Sequence, residues 1–178
     1  ALRDESNRLT DMGLPASHAM TDPPPDTEPD WRRHTQGTER IRRRFPAGDM
    51  ETRTALQAVC DGLRRAGLSE DDLSSAELIL AEVLNNIVEH AYASGDGIVD
   101  LCIELRGNGL LCLIRDHGNA MPNGRPPCPP LPRINPPSQL PEGGFGWHII
   151  RALTTQLHYR QEKGWNVLSF TMPLTGGD

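Results

Sequence analysis

The sequence predicts an α+β protein built as a two-layer sandwich, with helices on one face of a sheet. Three observations carry that prediction. Two helical apolar patterns run back to back ahead of the first long strand. The strands beyond them are joined by tight, glycine-containing turns. A third helical pattern then precedes a closing hairpin, giving the order β-α-α-β-β-loop-α-β-β.

The first element is a short strand over residues 39–45, stopped by Pro46-Ala-Gly48. Its Arg40, Arg42, Arg43 and Arg44 read as the charge that blunts an exposed sheet edge. From about Glu51 to Ala66, Leu56, Val59, Cys60 and Leu63 recur at i, i+3, i+4 and i+7, and Gly67 ends the helix. Ser69 with Asp72 three residues on resembles a capping box and opens a longer helix to about Ala93. Its buried stripe is Leu73, Ala76, Leu80, Val83, Leu84, Ile87 and Ala91.

In Ile98–Arg106, Val99, Leu101, Ile103 and Leu105 alternate with more polar partners, the pattern of a half-buried strand. Gly107-Asn-Gly109 turns the chain into a more apolar strand, Leu110–Arg115. Nine of the 21 residues from Met121 to Pro141 are proline, which no regular element survives. A helix follows over Gly146–Leu157 with Ile149, Ile150 and Leu153 buried. His158–Glu162 and Trp165–Met172 close as a hairpin turning at Lys163-Gly164.

The chain has 178 residues and a formal charge of −6, a poor match for gripping nucleic-acid phosphates over a broad surface. No apolar run approaches the roughly 20 residues of a membrane helix, and the first residues do not read as a secretion signal. Four cysteines lack CxxC or zinc spacing, and three of them, Cys60, Cys102 and Cys112, fall in apolar periodic segments and read as small buried hydrophobes in a reducing cytoplasm. Residues 1–38 are polar and Pro-rich, with too little apolar periodicity to offset their ordering entropy. They read as a flexible extension ahead of a folded domain over 39–178.

Three stretches carry chemistry. Glu82, Asn86 and Glu89 form one stripe of the long helix, opposite its buried face. Asp116-His-Gly118-Asn-Ala120 stands where a buried strand ends, and its glycine lets backbone approach a flat ligand closely. Gly143-Gly144-Phe145-Gly146 opens a helix whose free N–H groups suit phosphate oxygens.

Taken together, Glu82-x-x-x-Asn86-x-x-x-His90-Ala-Tyr92, then Asp116-x-Gly118, then Gly144-x-Gly146, resembles the nucleotide boxes of the gyrase, histidine-kinase and MutL ATPase superfamily. The match is closest to the stand-alone anti-sigma-factor serine kinases, with Gly164-Trp-Asn166 in the final strand, and it spans about residues 40–174. The resemblance implies a Bergerat-type ATP-binding fold with a mixed, mostly antiparallel sheet, and the Pro-rich loop at about 121–142 as a lid. It implies ATP and Mg²⁺ as ligands, with a sigma factor and a STAS-type anti-anti-sigma protein as partners and a homodimer as a possible assembly.

By the same resemblance Asp116 would accept from the adenine amino group and Gly118 would admit the base. Asn86 would ligate Mg²⁺, and Glu82 would be the general base toward a serine hydroxyl. Gly144 and Gly146 would hold the phosphates and Asn166 would brace the base pocket. Asn85, His90, Ala120, Gly143 and Phe145 would line the same site. Glu142 departs from the pattern, because a basic residue often stands there in such kinases. Arg125 or Arg133 would have to supply that cation. The function expected is therefore ATP-dependent serine phosphorylation of an anti-anti-sigma partner with sequestration of a sigma factor. The alternative is a nucleotide-holding regulatory module without efficient transfer. An orphan histidine-kinase catalytic domain is a weaker reading, since no phospho-accepting two-helix segment is recognisable.

Overall fold

The computed structural model describes residues 39–93, 95–107, 109–128 and 145–175. They form a five-stranded sheet in the order β1-β2-β3-β5-β4 (β1, Arg40–Pro46; β2, Ile98–Arg106; β3, Gly109–Asp116; β4, Thr155–Glu162; β5, Trp165–Pro173). Every neighbouring pair is antiparallel. Three helices, α1 (Asp49–Arg65), α2 (Glu70–Asn86) and α3 (Gly146–Leu153), complete the sandwich. Expectations for residues 1–38, and for the loop beyond residue 128, lie outside the described residues.

The two-residue period of the strands decides which face the helices cover. Val99, Leu101 and Ile103 of β2 sit beside Leu110, Cys112 and Ile114 of β3, and then Leu168, Phe170 and Met172 of β5. All are buried in one core with Val59 and Leu63 of α1, Leu73, Leu80, Val83 and Leu84 of α2, and Ile150 of α3. Ile79, outside the expected stripe of α2, is also buried. Cys60, Cys102 and Cys112 are buried, and burial pushes their thiols up out of the reactive range; Cys128 is exposed.

β1 is an edge strand, and two of its four arginines face acids across the register. Arg40 pairs with Glu104, and Arg44 lies 3.7 Å from Asp100. Glu104 is buried and also accepts from the guanidinium of Arg106, so its charge is taken out of water with two cations beside it.

Two helix ends differ from expectation. α2 stays α-helical only to Asn86, and Ile87–Ala91 form a π turn closed by the Tyr92 N–H on the Ile87 carbonyl. α3 stops at Leu153, because Thr154 takes extended angles and its hydroxyl donates to the Ile150 carbonyl at 2.6 Å. β4 therefore starts at Thr155 rather than His158, with a register shift at Gln156, whose φ is +52°. Of the three residues expected to be buried on α3, only Ile150 is; Ile149 is half-buried and Leu153 lies on the exposed side. The turn at Lys163 and Gly164 has both φ angles positive, as a two-residue hairpin with the sheet's twist requires.

Ser69 caps α2, as its place three residues before Asp72 leads one to expect. The Asp72 N–H donates to Ser69 Oγ at 3.1 Å, and that hydroxyl donates to Asp72 Oδ2 at 2.8 Å. The other carboxylate oxygen accepts from both the N–H and the hydroxyl of Thr175, tying the chain beyond β5 to the start of α2. Asp72→Ala keeps the backbone bond to Ser69 Oγ but removes the acceptor of the Ser69 hydroxyl and the tie to Thr175 together. It should cost about 1–3 kcal/mol in urea unfolding with an unchanged m-value.

Candidate functional site

Asp116 closes β3, and the register puts Asn166 of β5 directly across from it. Both side chains are buried although both are polar, so each must find its partners within the protein. Asp116 Oδ1 accepts from Asn166 Nδ2 and from the Gly118 N–H, each at 2.8 Å. Among the described residues, no hydrogen bond is made by Oδ2. Burial pushes the Asp116 carboxyl above its ordinary range; the bonds from Asn166 and Gly118, and the nearby His117, pull it partly back.

Asn166 is the hub of this cluster. Its Nδ2 also donates to the carbonyls of Gly118 (2.9 Å) and Asn119 (3.3 Å). Its Oδ1 accepts from the Tyr159 hydroxyl at 2.7 Å and from Gln161 at 3.3 Å. The loop after Asp116 is gripped from two more directions. On the helix side the Ala91 carbonyl accepts from the Asn119 N–H, and Tyr92 Oη accepts from the His117 N–H. On the other side the His117 ring lies against Trp165, with its Nδ1 bonded to the Gly164 carbonyl, and the Arg115 guanidinium stacks over Trp165.

Gly118 is where the backbone comes closest. A Cβ there would lie 2.5 Å from the Ala91 carbonyl oxygen, so no side chain fits. The π turn brings Ala91 to this contact.

A second cluster forms where α2 meets α3. Asn86 Nδ2 donates to the Glu82 carbonyl, leaving its amide oxygen for another partner. A Cβ on Gly146 would lie 2.4 Å from Glu82 Oε2 and 3.6 Å from Asn86 Nδ2. The first turn of α3 therefore rests on the Glu82 carboxylate, and the positive end of the helix favours that charge. The stripe expected on α2 is kept only in part. Glu82 and Asn86 are half-covered at α3, while Glu89 falls in the π turn and is exposed, because the additional residue per turn rotates it away.

The structure thus brings Asp116, Gly118 and Asn166 together, and separately Glu82, Asn86 and Gly146. The π turn joins the two groups, with Asn86 facing α3 and Ala91 facing Gly118. Asn85, His90, Ala120 and Phe145 are exposed around them. Gly143 and Gly144, with Arg133 and Glu142, lie outside the described residues. No cluster of three or more His, Cys, Asp or Glu side chains able to hold a metal occurs among the described residues. An oxygen-seeking ion here would have the Asn86 amide oxygen and the neighbouring Glu82 carboxylate, a sparse donor set that suits Mg²⁺ held mainly by substrate phosphates.

Tyr159 and Arg151 contribute without having been singled out in the sequence, and Tyr92 was given no role of its own there. Arg151 of α3 donates to the carbonyls of Pro126 and Pro127 and so fastens the first part of the Pro-rich loop. Tyr92 closes the motif that begins at Glu82, a signal that was available. For Tyr159 the only signal is strand alternation.

A five-stranded antiparallel sheet with helices on one face defines a two-layer α+β class of domain. The chain belongs to the histidine kinase-like ATPase domain family, whose model matches residues 45–172. Among curated proteins it is similar to the serine-protein kinase RsbW of Bacillus cereus strain AH820, at 26% identity over 132 residues. That match covers 73% of this chain and 82% of the relative. The RsbW kinases of Bacillus anthracis and Bacillus thuringiensis match over the same length at the same identity. Among solved structures, this chain is similar in fold to part of the chain that carries the RsbU and RsbW domains of Rv1364c from Mycobacterium tuberculosis, with a TM-score of 0.50 and 18% identity. The match takes in 77% of this chain but only a third of that one.

The raised Asp116 carboxyl makes a stability prediction. A folded-state value above the unfolded one means that stability falls as pH rises through that window and stays reduced above it. Asp116→Asn keeps an acceptor for Asn166 and Gly118 but carries no charge. Relative to the parent, its melting temperature should therefore rise across the same window and level off by neutral pH. A constant difference from pH 3 to 7 would contradict the cause given.

Proposed function

We propose that this chain is an ATP-dependent protein-serine kinase that phosphorylates a STAS-type anti-anti-sigma protein and, in its other state, holds a sigma factor. The observation that carries this reading is Asp116. It is buried, immobilised through Oδ1 by two donors, and among the described residues left with Oδ2 unbonded beside a glycine that no side chain could replace. Such an acceptor suits an exocyclic amino group on a flat base, and adenine offers one where guanine has a carbonyl. Asn166 would hold the carboxylate in place for that contact, and Gly118 would let the ring lie close to the backbone.

At the other cluster the Asn86 amide oxygen would take Mg²⁺, whose chemistry is to offset charge on the phosphates. Gly146 and the glycines before it would receive the phosphate oxygens on N–H groups. Glu82 would take the proton of the attacking serine hydroxyl as the serine oxygen–phosphorus bond forms. The bond from phosphorus to the bridging oxygen breaks, and ADP leaves. The contact of Gly146 with Glu82 supports this role, since it presents the carboxylate at the helix end where phosphate would sit.

The second reading keeps the nucleotide and drops the transfer, and Glu142 favours it. An acid stands where a cation would offset developing phosphate charge, leaving that task to Arg125 or Arg133. Incubation with labelled ATP, Mg²⁺ and candidate anti-anti-sigma domains separates the two readings. Phosphoserine on the partner supports the kinase; tight binding without transfer supports the module.

Two variants locate the roles. Glu82→Gln should lower transfer by about 100-fold or more while leaving ATP affinity within a few-fold, as expected for loss of a general base. Asp116→Ala should abolish ATP binding in calorimetry while circular dichroism stays native; unchanged affinity would overturn the assignment of adenine to this residue.

A further inference from the structure

Tyr159 lies on β4, one strand beyond Asn166, and its hydroxyl is used twice. It accepts from the Met121 N–H at 3.1 Å and donates to Asn166 Oδ1 at 2.7 Å. Asn166 Nδ2 then donates onward to Asp116 Oδ1 and to the carbonyls of Gly118 and Asn119. The chain of donors runs one way, from the first residue of the Pro-rich segment to the buried carboxylate.

The direction matters because a primary amide can sit in two orientations. Turned over, Asn166 would aim its carbonyl oxygen at three acceptors, one of them a carboxylate, in a buried setting. The Tyr159 hydroxyl opposes that turn, since its proton needs the Asn166 carbonyl while its lone pair already holds Met121. Gln161 offers a longer second donor to the same oxygen. The tyrosine ring packs against the core, so the hydroxyl arrives on a fixed support.

We infer that Tyr159 is a positioning residue for the base-reading carboxylate. It fixes the orientation of the Asn166 amide and ties Met121, where the Pro-rich segment begins, to the same hydrogen-bond chain. This rests on the reading of Asp116 as the group that meets adenine. It goes further by making selectivity for a 6-amino purine depend on a residue that touches neither base nor phosphate. It also couples the start of the loop to the base pocket, so a change at Met121 is felt at Asp116 through two side chains.

The test uses the full chain and Tyr159→Phe, which keeps the ring and removes the hydroxyl. Carbon NMR follows the Asp116 carboxyl through a pH titration, assigned by comparison with Asp116→Asn. Calorimetry with Mg²⁺ compares ATP with inosine triphosphate, which carries a carbonyl in place of the amino group. The ionisable neighbours of Asp116, His117 on its own loop and Tyr92 at the π turn, are unchanged in the variant.

The Asp116 midpoint is expected to move upward in Tyr159→Phe, because its charged form loses a well-aimed donor. ATP affinity should fall about five- to ten-fold with inosine triphosphate little affected, so that discrimination narrows. An unchanged midpoint together with an unchanged ATP preference in folded Tyr159→Phe overturns the proposal. If the parent protein prefers neither nucleotide, the adenine reading falls, and the titration alone then decides whether Tyr159 positions Asp116. Should Tyr159→Phe fail to fold, 3,5-difluorotyrosine at residue 159 replaces it. Its stronger donor should move the midpoint downward, and no movement counts against the relay.

Discussion

The cross-strand pair of Asp116 and Asn166 is the interaction on which the site depends. A carboxylate at the end of a central strand loses most of its water, and without donors it would take up a proton and cease to be an acceptor. Asn166 and the Gly118 N–H offset part of that cost at one oxygen, and among the described residues no hydrogen bond is made by the other. The antiparallel register does the placing. Asp116 and Asn166 face each other because β3 and β5 pair without a bulge from Gly109 to Asp116. A slip of one residue would put the two side chains on opposite faces of the sheet.

A second constraint comes from the helix layer. The loop after Asp116 must run close to the end of α2, and the close approach at Gly118 leaves no room for even a methyl group. The Ala91 carbonyl, the Tyr92 hydroxyl and the His117–Trp165 contact hold that loop from opposite sides. Side chains supply most of these holds and the sheet supplies the platform. The apolar core is built from α1, α2, α3, β2, β3 and β5, and Asp116 and Asn166 are buried polar side chains that continue the core-facing alternation of β3 and β5.

Much of this was legible in the chain. Alternation at Val99–Leu105 and the glycine turns marked β2 and β3, and Ser69 with Asp72 marked the start of α2. The Glu82, Asn86, Asp116 and Gly146 positions were marked by residue types that carry chemistry at recognisable spacing. What could not be read depended on distant partners. Nothing local in Ile87–Ala91 distinguishes a π turn from an α turn, because the contact at that turn comes from Gly118 and Asn119. Leu153 and Leu157 keep a helical period past the end of α3, and the extended angles of Thr154 override it. Tyr159 reads as an ordinary half-buried strand residue because its partners lie at 121 and 166.

The π turn has a consequence for how this chain can change. Each residue of an α-helix advances by about 100°, so the inserted geometry sets the angular phase between Asn86 and Ala91. Substitutions within Ile87–Ala91 are exchanges of surface chemistry and packing. Insertions or deletions there are different in kind, since they rotate one half of the binding surface relative to the other. The length of that five-residue stretch therefore sets the relative orientation of the two halves, whatever its surface residues are.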